Sequence, residues 1–167
     1  MKKIGLICLA LVLALGALGV GFAMWDKTLY IDGTVNTGEV NAIFTTASCT
    51  EDPEVEGKDV GSCSLTGIGE QTLNITVTNG YPCYGVTVNF TIDNIGTIPV
   101  KIQSFKVTNP DPTAVTVTWV SPAIGTQIEP QGDVPGSIYI HVEQEADELA
   151  TYTFSAKILL VQWNEYT

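Results

Sequence analysis

Two patterns of apolar residues divide the chain. Residues 4–23, IGLICLALVLALGALGVGFA, form one uncharged apolar run. Beyond it, apolar positions recur every second residue. In Met24–Val40, Trp25, Lys27, Leu29, Ile31, Gly33 and Val35 fall on one face, and Asp26, Thr28, Tyr30, Asp32 and Thr34 on the other. That is the period-two pattern of a half-buried strand. The same alternation predicts strands from Val40 through Thr46, over Gln71–Asn79 with Leu73, Ile75 and Val77 inward, and over Tyr84–Asp93. It predicts others over Val100–Thr108, Ala114–Val120 and Gly136–Gln144. The phase shifts at Ser104-Phe105, which predicts a bulge. Thr151–Trp163 is apolar on both faces, which predicts a last strand covered on both sides.

Gly, Pro and Asn punctuate these segments. Leu65–Gly69, Gly80–Cys83, Asn94–Pro99 and Asn109–Pro112 read as turns, and Ser121–Pro135 as a long loop with an extended middle. Ser48–Cys63 is dense in acids, Pro and Gly and reads as a surface loop. Seven or eight short strands with no helical period after residue 23 imply an all-β protein. The expected architecture is a single antiparallel β-sandwich, Ig-like or jelly-roll, preceded by an N-terminal hydrophobic signal helix. The expected division is 1–23 signal peptide or transmembrane segment, 24–36 N-terminal strand and 37–167 sandwich domain.

Lys2 and Lys3 precede the apolar run, and Gly21 and Ala23 put small residues before a junction of Ala23 with Met24. This is the layout of a signal sequence cut by signal peptidase between those two residues. The alternative is an uncleaved anchor touching the membrane through residues 4–23 alone. Either places the remainder outside the cell, secreted or surface-held, since the lysines stay inside.

Residues 24–167 contain five lysines, no arginine and 18 acids, a formal charge of 5 − 18 = −13. Such a surface repels phosphate backbones and excludes nucleic acid as a partner. Cys49, Cys63 and Cys83 follow the apolar run. In an exported protein this number implies one disulfide and one leftover thiol. Cys49–Cys63 is the first choice because it closes the acidic loop; pairing of either with Cys83 is the alternative.

The acids Glu51, Asp52, Glu54, Glu56 and Asp59 lack the spacing of an EF-hand and read as a solvated loop. His141 lies between Ile140 and Val142 and reads as a surface or edge histidine. No HExxH, G-x-S-x-G elbow or phosphate loop occurs, and Cys83 has no neighbouring base, so neither an enzyme nor a cofactor or metal site is expected. Asn74-Ile75-Thr76 and Asn89-Phe90-Thr91 are N-glycosylation acceptor tripeptides with both asparagines outward.

Three stretches carry a family resemblance. They are Gly19–Ala23 followed by Met24-Trp25-Asp26-Lys27, then GTVNTGEVNAIF at Gly33–Phe44, and FSAKILLVQWN at Phe154–Asn164. In this order they resemble the TasA/camelysin family, exported β-sandwich proteins processed by the SipW type of signal peptidase; archaeal bundling pilus subunits are similar in organisation. VTVNFTIDNIGTIPVKI at Val86–Ile102 resembles the strand–Asn-x-Gly–strand hairpin of the same proteins. The resemblance implies a structural subunit of an extracellular filament or biofilm-matrix fibre, assembled head-to-tail from copies of itself. It implies donor-strand complementation, with Trp25, Leu29, Ile31 and Val35 of one copy entering the sandwich of the next. The rival expectation is a monomeric or membrane-anchored cell-surface binding module.

Overall fold

The computed structural model describes residues 2–19 and 26–166. The expected cleavage pair Ala23–Met24 and Trp25 lie outside the described residues. The chain divides into two units, Met1–Asn36 and Thr37–Thr167.

In the first unit, α1 spans Lys2–Gly19. Its 18 residues rise about 27 Å, less than the about 30 Å of a bilayer's hydrocarbon core. Among the described residues no helix is long and apolar enough to cross a membrane. Residues 26–36 have no regular structure, which corrects the expectation of a strand there. Leu29, Ile31 and Val35 are 83 %, 98 % and 89 % exposed. Alternation makes a segment fit to be a strand, but a strand exists only where its backbone N–H and C=O groups find a ladder partner.

The second unit is antiparallel β throughout. One sheet has the order β1-β4-β8-β6, made of β1 (Ala42–Glu51), β4 (Gly85–Asn94), β8 (Asp133–Val142) and β6 (Val115–Ser121). A second has the order β7-β5-β9, made of β7 (Gln127–Ile128), β5 (Val100–Thr108) and β9 (Ser155–Gln162). A hairpin of β2 (Ser62–Thr66) and β3 (Asn74–Thr78) stands apart from both.

The period-two rule explains the faces. Val86, Val88, Phe90 and Ile92 of β4 are buried while Asn89 is exposed. Ile138 and Ile140 of β8 join them, and Val100, Ile102 and Ile128 of β5 and β7 meet them in one core. The arrangement is all-β and sandwich-like. The bulge expected near Ser104 is present, since the β5–β9 register shifts between Ile102 and Ser104.

Four local readings need correction. β1 runs through Ser48 and Cys49 to Glu51, so the acidic loop is only 52–61. Its pairing with β4 continues past a register shift between Phe44 and Thr46 and carries the polar residues along. Leu65 and Thr66 belong to β2 rather than a turn, because β3 supplies a partner across Leu65–Ile75. β9 is not covered on both sides: its outward Leu159 is 36 % exposed, as is Trp163 just beyond it at 49 %. His141 is not on an edge, since β8 has β4 and β6 on its two sides.

Asn94 closes one end of the core and is fully buried. Its Nδ2 donates to the carbonyls of Ile98 and Ile128 at 2.9 and 3.1 Å, and its Oδ1 accepts from Gly96 N at 3.1 Å. A buried amide is tolerable here because its capacity is met.

Candidate functional site

β9 hydrogen-bonds to β5 on one side, and β3 to β2 on one side. Residues in and just before β3 and residues of β9 line a common apolar cavity of about 250 Å³. Leu73 and Ile75 form one wall, and Ala156, Lys157 and Ile158 the other. Phe44, Phe90 and Ile138 of the four-stranded sheet make its floor, with Phe105 beside them. A second cavity of about 230 Å³ continues it past Phe44, Gln71 and Ile158 to Val40, Ile92 and Leu160. Each exceeds the ~150 Å³ that houses a benzene-sized group. The two cavities share Phe44, Gln71 and Ile158 in their linings and are together called the slot below.

The floor is held by ring packing. Phe44 meets Phe90 edge-on at 5.4 Å between centroids, and Trp119 lies 5.9 Å from Phe90 and 4.8 Å from Phe105. The indole Nε1 donates to Pro122 O at 2.6 Å, which fixes the ring.

The β2–β3 wall is fastened to β1 in three places. Cys49 and Cys63 are joined in a disulfide, as expected from the loop they close, with Cα atoms 6.1 Å apart. Cys63 N donates to Glu51 Oε1 at 3.0 Å. At the hairpin tip, Phe44 N donates to Glu70 O at 2.9 Å and Gly69 N to Phe44 O at 2.6 Å.

The loop acids act on the protein itself. Glu54 accepts from Val60 N at 2.8 Å and Gly61 N at 3.0 Å. These bonds, that to Gly61 foremost, hold its carboxyl below the usual range. Tyr139 donates to Asp52 Oδ2 at 2.6 Å. That bond first, and burial second, push the Tyr139 phenol up to about 12. Tyr84 is buried and, among the described residues, its hydroxyl lies near the Glu51 carboxylate but makes no hydrogen bond of good geometry. Burial first, then the nearby Glu51 carboxylate, raise its ionisation well above the ordinary tyrosine value. Among the described residues no group of three or more His, Cys, Asp or Glu side chains is arranged to hold a metal ion.

The remaining sequence candidates are scattered. His141 is half-buried, with Nδ1 3.4 Å from the Tyr139 hydroxyl and Nε2 3.9 Å from Glu143. Cys83 is a free, exposed thiol whose Sγ lies 3.7 Å from Gln144 Oε1. Asn74 and Asn89 are both exposed, on β3 and β4; Asn89 donates to Thr50 Oγ1 at 3.3 Å. None of these side chains lines the slot. Sequence reasoning named the segment fit to fill a slot but not the slot. Its walls come from segments far apart in the chain, which no local pattern brings together.

No family model, curated protein or solved structure matches the chain.

Proposed function

We propose that this chain is a structural subunit of an extracellular filament, and that residues 26–35 of one copy enter the slot between β3 and β9 of the next. The observation that carries the reading is a pairing of deficits. The sandwich has an apolar slot lined in part by β3 and β9, which among the described residues are each hydrogen-bonded to one neighbouring strand only. The same chain holds a segment without regular structure whose alternate apolar residues Leu29, Ile31 and Val35 are exposed. Exposed edges and exposed apolar strands are both costly in water, and β-augmentation relieves both at once. The contact is head-to-tail and does not close on itself, so it propagates.

On this reading α1 belongs to an export signal and the protein works outside the cell, where the Cys49–Cys63 disulfide is at home. The filled sandwich would be of the Ig-like or jelly-roll class. The resemblance to the TasA/camelysin family points the same way.

The test is negative-stain microscopy of the exported protein beside Leu29→Asp and Ile31→Asp variants. A carboxylate forced unpaired into an apolar slot costs several kcal/mol. Wild type is expected to form long fibres and both variants to stay monomeric with an unchanged melting temperature. Fibres from the variants would sink strand docking. A wild-type protein that stays monomeric would replace it with the cell-surface binding module.

A further inference from the structure

Lysine is scarce in this chain, yet three of the five lysines beyond residue 23 lie on β5 and β9. Lys101 is 5.4 Å from the Tyr166 ring centroid. Lys106 and Lys157 are directly opposite each other in the β5–β9 ladder. Directly opposed residues share a face with Cβ atoms about 5 Å apart, and like charges there are destabilising. Both are exposed. Among the described residues the one ion-pair geometry is His141–Glu143, so neither ammonium has a carboxylate within 4 Å. An acidic chain that sets two cations side by side without an acid has left a carboxylate site open.

Lys157 is also a wall residue of the slot. Along β9, Ile158 and Leu160 are half-buried against the slot, while Leu159 and Lys157, the latter at the slot's rim, are exposed. A strand added at this edge must present apolar side chains to the first pair and polar ones to the second. In residues 26–35, Leu29 and Ile31 alternate with Tyr30 and Asp32. An antiparallel register with Ile31 opposite Ile158 and Leu29 opposite Leu160 satisfies both faces. It sets Tyr30 opposite Leu159 and Asp32 opposite Lys157.

Building on the strand-docking reading above, we infer that Lys106 and Lys157 form a carboxylate site that receives Asp32 of the incoming copy and fixes its register. Period-two patterning alone leaves a strand free to slip by two residues with its apolar face still inward. A single charge in a defined row removes that freedom and disfavours wrong pairings.

A charge exchange in the exported full chain tests the site. Asp32→Lys alone, and Lys106→Glu with Lys157→Glu, are each expected to raise the critical concentration for fibre growth about tenfold. Carrying all three changes together is expected to restore it, and 1 M salt to shrink every difference because the Debye length falls to about 3 Å. The Asp32→Lys change lies outside the sandwich, so its effect is independent of any loss of fold in the lysine variant. If either charge variant grows like wild type while Leu29→Asp does not, the carboxylate site is wrong and strand docking stands. If the triple variant stays impaired, the site is likewise wrong. If wild type forms no fibres, the reading beneath it fails as well.

Discussion

The Tyr139 hydroxyl and the Asp52 carboxylate meet at 2.6 Å directly over Gly85, and the bond exists because Gly85 has no side chain. A Cβ at Gly85 would overlap both oxygens. Asp52 is tied a second time there, its N donating to Gly85 O at 2.9 Å. This junction anchors the start of the acidic loop to the outer face of the four-stranded sheet.

Gly85→Ala is therefore expected to cost about 2 kcal/mol, the scale of forced overpacking. Tyr139→Phe, which removes only the bond, is expected to cost about 1 kcal/mol. Urea unfolding of the two variants checks the order. Because the folded Tyr139 phenol is raised from 10.0 to about 12, its neutral form is favoured in the fold. Its stabilisation is complete below pH 10 and is lost as pH rises toward 12. Tyr139→Phe is expected to flatten the stability profile in that window.

Asn94→Ala is expected to be among the most damaging single changes. It strips the amide donor from the Ile98 and Ile128 carbonyls, while Gly96 N keeps its bond to Asn41 O at 3.0 Å. Leaving such groups unpaired should cost about 3 kcal/mol. A fall in the urea midpoint with an unchanged slope would agree; a fall below about 1 kcal/mol would mean that water replaces the amide.

Replacing Cys49 and Cys63 by Ala opens a link across 14 residues. The chain-entropy cost is about 3 kcal/mol. The disulfide also fastens the β2–β3 wall of the slot to β1, so fibre formation is expected to fail at temperatures where the sandwich still holds. Parallel circular dichroism and sedimentation measurements separate the two losses.

The Glu54 carboxyl is depressed by its bonds to Gly61 and Val60 amides. Its contribution is present above its ordinary value of 4.5 and is lost as pH falls through the lowered folded value. Amide exchange at Val60 and Gly61 is expected to accelerate over that acid window, and Glu54→Gln to bring the acceleration to neutral pH. Unchanged exchange in the variant would mean that those amides are held by something else.

Alternation by itself determined most of the fold class. A side chain's face follows from its parity in an extended chain, so Val86, Val88, Phe90 and Ile92 were legible as core, and the phase slip near Ser104 as a bulge. The Cys49–Cys63 bond was legible as a preference because a disulfide needs only closeness, and a short acidic loop supplies it. Partnership was not legible. Whether an alternating segment becomes a strand depends on a hydrogen-bonding edge supplied from elsewhere in the chain. Tertiary structure therefore made β2 from an apparent turn and left Leu29 and Ile31 unpaired. The Asp52–Tyr139 bond, separated by 87 residues, and the opposed Lys106 and Lys157 depend on register, which no local pattern encodes. The slot was decided in the same way, because its lining comes from Phe44, Leu73, Ile75, Phe90, Ile138 and Ile158, which lie on strands or loops far apart in the chain.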